Sequence, residues 1–156
     1  MIKYWLIKSE PDVFSIDDLA NADNKTTYWD GVRNYQARNF MRDEMKIGDK
    51  ILYYHSNSDP MGVAGICEIV KEAYPDFSAF DKKDPHFDPK SKKDDPTWFM
   101  IDVKFLEKFK YLVTLSEIKN NPKLSEMKLI QRGSRLSVMP ITKAEFEEIA
   151  KMAKAK

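Results

Sequence analysis

Tyr28-Trp29-Asp30-Gly31-Val32-Arg33-Asn34-Tyr35-Gln36-Ala37-Arg38-Asn39-Phe40 places an indole, a tight turn, two arginines and a helix start in immediate succession. Asp30-Gly31 marks the turn, because glycine takes the positive backbone angles that tight turns need. Asn34 is a good N-cap for a helix whose apolar positions, Ala37, Phe40 and Met41, recur at helical spacing. Asn34, Arg38 and Arg42 follow at intervals of four and share the opposite, polar face. A flat aromatic beside a helix start with arginines suits a planar, polar, anionic ligand such as a nucleotide. A core tryptophan next to a solvated helix face would leave the same pattern.

Upstream, Ile2 to Lys8 reads as an opening strand that Ser9-Glu10-Pro11 ends, since proline cannot continue a central ladder. Trp5 alternates with apolar neighbours and reads as core. Ser15 with Asp18 is an acidic capping pattern before a short helix carrying Ile16, Leu19 and Ala20. Downstream, Gly48-Asp49 turns into a strand from Lys50 to His55 with apolar residues on both faces, as in a barrel or under a helix. A second strand runs from Met61 to Val70, where Gly62 and Gly65 predict a bend, a bulge or a close approach.

Pro75 to Pro96 changes character: it holds four of the eight prolines, and Asp81 to Asp95 carries five lysines and five aspartates. It reads as a long, charge-balanced loop, a lid or spacer and a poor phosphate clamp. Trp98 to Leu106 resumes strand character, with Phe99, Ile101, Val103 and Phe105 expected on the core side and Trp98, Met100, Asp102 and Lys104 facing away. Thr114 with Glu117 and Thr142 with Glu145 are capping boxes. A short helix is expected within Lys123 to Ile130, a strand from Arg135 to Met139, and a last helix with an apolar stripe of Phe146, Ile149, Ala150 and Ala153. Short strands mixed with brief helices predict an α+β fold, a small mixed barrel with helices around it.

The chain of 156 residues fits one domain, residues 1–156, with a full hydrophobic core. A formal charge of +1, from 26 basic and 25 acidic residues, excludes a strongly electrostatic, non-specific nucleic-acid coat protein but not a local site. There is no cationic-then-apolar leader and no apolar run near about 18 residues, so a soluble, cytoplasmic protein without membrane contact is expected. Cys67 is the single cysteine, which excludes an internal disulfide; in an apolar strand it reads as a buried hydrophobe rather than a nucleophile.

Metal and phosphate-loop signatures are missing. His55 and His86 lack the ligand spacing of a zinc site, and no glycine-rich phosphate loop or nucleophile elbow is present. A pair of His55 with Ser9 or Ser137 is conceivable, but nothing compels an enzyme, a cofactor or a metal.

Tyr4-Trp5-Leu6-Ile7-Lys8-Ser9-Glu10-Pro11, Trp29 to Asn39 and Arg135-Leu136-Ser137-Val138 are three separated motifs that together resemble the EVE domain family, a branch of the PUA-like superfamily related to YTH readers. Between them, in the family's order, lie Tyr53-Tyr54-His55-Ser56-Asn57, Gly62-Val63-Ala64-Gly65, Pro75-Asp76 and Pro96-Thr97-Trp98. The resemblance implies a strongly curved, PUA-like mixed β-barrel of five or six strands flanked by short helices. It also implies no catalysis and a pocket for a modified base in DNA or RNA, methylated or hydroxymethylated cytosine above all.

A base leaving the stack costs a few kcal/mol, which the pocket must offset. Trp29 and Trp98 are the expected stacking pair. Ser9, Asn34, His55, Ser56 and Ser137, with backbone at Val32 and Gly62, are expected to meet the base edge. Arg33, Arg38 and Arg135 are expected on flanking phosphates. Each has a structural alternative: Ser9 as a strand-exit cap, Arg135 in an ion pair, His55 as a satisfied core histidine. The competing functions are a sensor of a free modified nucleoside or other small molecule, a base-modifying enzyme, and a protein adaptor.

Overall fold

Alternation within two neighbouring strands builds two cores. The computed structural model describes residues 1–133 and 135–155. In it, Tyr4–Ser9 (β1) and Lys50–His55 (β3) pair in parallel, Trp5 opposite Ile51 and Ile7 opposite Tyr53. Trp5, Ile7, Ile51 and Tyr53 face one core, and Leu6, Leu52 and Tyr54 face the other. Ile16–Asn21 (α2) and Tyr35–Asp43 (α3) cover the first core through Ile16, Leu19, Ala37 and Met41. Leu115–Lys119 (α4) and Lys143–Lys154 (α5) cover the second through Ile118 and Ile149. Apolar residues on both faces of β3 therefore mean a strand sandwiched between helices.

The remaining strands are Thr26–Trp29 (β2), Gly62–Pro75 (β4), Phe99–Thr114 (β5) and Val138–Ile141 (β6), and the sheet order is β2-β5-β4-β3-β1-β6. The expected α+β class and six mixed strands hold. Closure into a barrel does not appear in the pairing: β2 bonds only β5 and β6 only β1, which leaves both as edges.

β4 and β5 outrun the expected Met61–Val70 and Trp98–Leu106 because they pair along nearly their whole length, down to Pro75 opposite Phe99. Glu68 stands opposite Lys104 and Lys71 opposite Asp102 in that ladder, whose polar residues had masked it in the sequence. Met100, expected to face away from the core, is fully buried. At Gly62 a Cβ would lie 2.5 Å from the Val113 carbonyl oxygen, so this glycine admits the β5 backbone rather than a ligand.

All three capping boxes form, at Ser15, Thr114 and Thr142. The helix expected within Lys123–Ile130 is two 3₁₀ turns, Pro122–Leu124 and Lys128–Ile130, and the strand expected over Arg135–Met139 is β6. Trp5 is core, and its indole N–H donates to buried Asp49 at 3.0 Å. Burial pushes the Cys67 thiol pKa up, as expected of an inert hydrophobe. Among the described residues no helix is long and apolar enough to cross a membrane.

Candidate functional site

One cleft gathers the three motifs. It encloses about 700 Å³ and is lined by Lys8, Ser9 and Glu10 at the end of β1, by Val13 and Phe14 of Pro11–Phe14 (α1), and by Thr27, Tyr28 and Trp29 of β2. Asp30, Gly31, Val32 and Arg33 of the following turn, Ser56 and Asn57 after β3, His86, and Arg135 and Ser137 before β6 complete it. That volume falls in the usual range of small-ligand sites, about 300–1,000 Å³.

Trp29 forms one wall, its ring edge-on to Tyr53 at 5.5 Å between centroids. The expected partner indole is elsewhere. Trp98 is 5% exposed and does not line the cleft. Its ring stacks on Tyr35 at 4.9 Å, its N–H donates to Asp88 at 2.7 Å, and the Arg33 guanidinium sits 5.3 Å above it. A ring covered in this way has no face left for a base, so the two-indole slot is not formed.

Four more expected contacts are occupied by architecture. Asn34 caps α3, accepting from Ala37 N–H at 3.0 Å. His55 Nε2 accepts the Ile16 N–H at 3.1 Å, which fixes the proton on Nδ1, and burial lowers its pKa. Gly62 faces the β5 backbone, and Arg38 donates to the Thr97 carbonyl at 2.8 Å. None of the four lines the cleft. Ser9 does, but its hydroxyl donates to Phe14 O at 2.7 Å, so no Ser9–His55 couple exists.

Arg33 lines the cleft without being free to hold a phosphate. Each of its five N–H groups has a partner: Val32 O, Asp76, Ser78 Oγ and, twice, His86 O. Asp76 is fully buried and also accepts from Gly31 N–H at 2.8 Å and from Ser78. Burial alone would raise its pKa, yet the bonds from Ser78, Gly31 and Arg33 outweigh it and hold the carboxyl below its usual range.

The 75–97 segment is accordingly a folded strap rather than a solvated lid or spacer. Phe77–Phe80 is a 3₁₀ turn, Asp88 and the His86 carbonyl anchor the segment to Trp98 and Arg33, and Ser91 accepts from the Thr97 N–H within it. Gly31, at φ +78°, passes so close to the His86 ring that a Cβ would stand 2.7 Å from it. The lysines of the strap remain exposed.

The groups left open are few. Arg135 is exposed at the rim with no hydrogen bond or ion pair to another described residue. Ser56 and Ser137 present hydroxyls without a bond to another described residue. Lys8 is half-buried, 5.9 Å above the Tyr54 ring, and burial lowers its pKa. Asp30 is half-buried too; burial raises its pKa, the Asp76 charge adds to this, and His86 opposes it. Lys8, Asp30 and His86 were missed as cleft residues. The first looked like strand, the second like turn chemistry, and the third lay inside an assumed spacer. Donor atoms of Asp30, Asp84 and His86 lie within 4.8 Å of one another, but His86 Nδ1 is already 3.1 Å from Asp84, an ion-pair geometry that assigns no metal.

A model of the EVE domain matches residues 3–152. The chain belongs to the EVE domain family. Human thymocyte nuclear protein 1 is 46% identical over 161 residues, covering 92% of this chain and 71% of its own. A hypothetical protein from Leishmania major superposes with a TM-score of 0.93 at 50% identity, over 99% of this chain and 96% of its own. Human THYN1, solved in complex with 5-methylcytosine-containing DNA, superposes with a TM-score of 0.92 at 44% identity, over 99% of each chain.

Proposed function

We propose that this EVE domain is a non-catalytic reader of a methylated base in DNA, taking 5-methylcytosine out of the stack and into the Trp29 cleft. One observation carries the reading: an open cleft with an aromatic wall, in a chain that superposes on a human protein solved with 5-methylcytosine DNA. Stacking on an aromatic ring supplies roughly 1–3 kcal/mol per base, which offsets the few kcal/mol of unstacking. The Ser56 and Ser137 hydroxyls are available to the base edge, and Arg135 and Lys8 to flanking phosphates. The added methyl contributes about 0.8 kcal/mol when buried, a few-fold preference, so shape exclusion supplies the rest.

The test is fluorescence anisotropy of labelled duplexes differing only at one cytosine: unmodified, 5-methyl or 5-hydroxymethyl. An RNA strand and the free nucleoside serve as further ligands. A clear preference for a modified duplex is expected, and Trp29→Ala should weaken that binding about tenfold or more. Equal, negligible binding to all of them removes the reading. A nucleoside that binds as well as the duplex, with little salt dependence, turns it into a small-molecule sensor.

A further inference from the structure

Thymine carries the same C5 methyl as 5-methylcytosine. A pocket that recognised only a methylated pyrimidine ring would therefore fill with thymine, which is abundant in DNA. The two bases differ at position 4, where cytosine presents an amine donor and thymine a carbonyl acceptor. A reader of 5-methylcytosine needs an acceptor there, and a carboxylate is the side chain that accepts from the cytosine amine.

Three carboxylates surround the Asp30-Gly31 turn, and two of them are occupied. Asp76 is saturated by Arg33, Gly31 N–H and Ser78. Asp84 holds the His86 imidazole at 3.1 Å and the His86 backbone N–H at 2.8 Å. Asp30 lines the cleft next in sequence to Trp29, half-buried; its carboxylate accepts from its own backbone N–H and from no other described residue. One local bond leaves most of the carboxylate's acceptor capacity unused in a partly desolvated place, and a ligand donor can fill it.

Resting on the reading above, we infer that Asp30 is the specificity residue of the cleft. It accepts a hydrogen bond from the exocyclic amine of the bound base and so excludes thymine. Against the thymine O4 the same carboxylate sets acceptor to acceptor and stays unpaired. The site thus takes amino bases and rejects keto bases, whatever the methyl contributes.

The experiment competes labelled 5-methylcytosine duplex against duplexes with thymine at the same, equally unpaired position, in chelator-containing buffer. The wild type is expected to favour 5-methylcytosine by on the order of tenfold or more. In Asp30→Asn, whose amide can turn its NH₂ towards O4, the ratio should fall to within about threefold. A ligand-side arm needs no mutant: 5-methyl-2-pyrimidinone, which lacks only the amine, should lose on the order of tenfold in the wild type. If it binds as well as 5-methylcytosine, or if Asp30→Asn keeps the wild-type ratio, the inference is overturned while the reader stands. Failure of the wild type to prefer 5-methylcytosine over plain cytosine overturns both.

Discussion

Arg33 and Arg135 border the same cleft and looked alike in the sequence, yet they do opposite things. Arg33 is tied to Asp76, Ser78, Val32 and His86, with the Trp98 ring beneath it. Arg135 stands exposed with no described partner. The contrast extends to their surroundings. Around Arg33, polar groups satisfy one another and hold the turn against the strap; around Lys8, Asp30, Ser56 and Ser137, hydrogen-bonding capacity is left over. Saturated groups build the walls of the cleft, and unsaturated ones face its open space.

The hardest way to break this contrast is to remove the anchor on the saturated side. Asp76→Ala leaves a partly buried guanidinium without its carboxylate, and about 3–5 kcal/mol of stability should be lost in urea denaturation. The Asp76 carboxyl lies below its usual range when folded. Its contribution is therefore full above the unfolded value near 4 and fades as pH falls through the lower, folded one. The variant should lack that acid limb. A loss below about 1 kcal/mol would mean that Arg33 is held by something else.

A smaller effect sharpens the open side. Arg135→Ala should weaken binding to every duplex about equally and cut the slope of log affinity against log salt by about 1. Stability should stay within about 0.5 kcal/mol of the wild type. Arg33→Ala should instead destabilise. If denaturation shows the two exchanged, the assignment of architecture and ligand contact is reversed.

The smallest expected effect concerns His55. Its neutral ring accepts the Ile16 N–H, and burial lowers its pKa; Asp17 and Asp18 oppose that shift while Lys108 adds to it. Below the unfolded value of about 6.5 the unfolded chain binds more protons than the native one, so stability declines as pH falls from there towards the folded value. His55→Gln keeps an acceptor and should flatten this part of a melting-temperature-against-pH profile. A slope unchanged in the variant would place the titrating group elsewhere.

Much of the fold could be read from neighbouring residues. Ser15, Thr114 and Thr142 with their acidic partners three residues on wrote three helix starts, and the two-faced pattern of Lys50 to His55 wrote a covered strand. Of the expected site residues, Ser9, Trp29, Val32, Arg33, Ser56, Arg135 and Ser137 line the cleft, whereas Asn34, Arg38, His55, Gly62 and Trp98 do not. Asn34 was rightly a cap, but the cap takes the amide oxygen that had been assigned to a base edge, and the residue does not line the cleft. Trp98 looked exposed in the sequence because the groups that cover its ring, Tyr35 and Arg33, cannot be placed from the Trp98 strand alone.

By itself, then, the sequence determined the helix caps, the strand alternation, the turn at Gly31 and, through ordered motifs, the family. These depend on backbone preferences and on contacts a few residues apart. Only the tertiary structure decided which polar groups would be left open, because several of the partners that close the others come from far along the chain: Asp76 lies 43 residues from Arg33, and Thr97 lies 59 residues from Arg38. Hydrogen-bond capacity is conserved along a chain but distributed by folding, and the capacity remaining in the cleft is what a ligand can use.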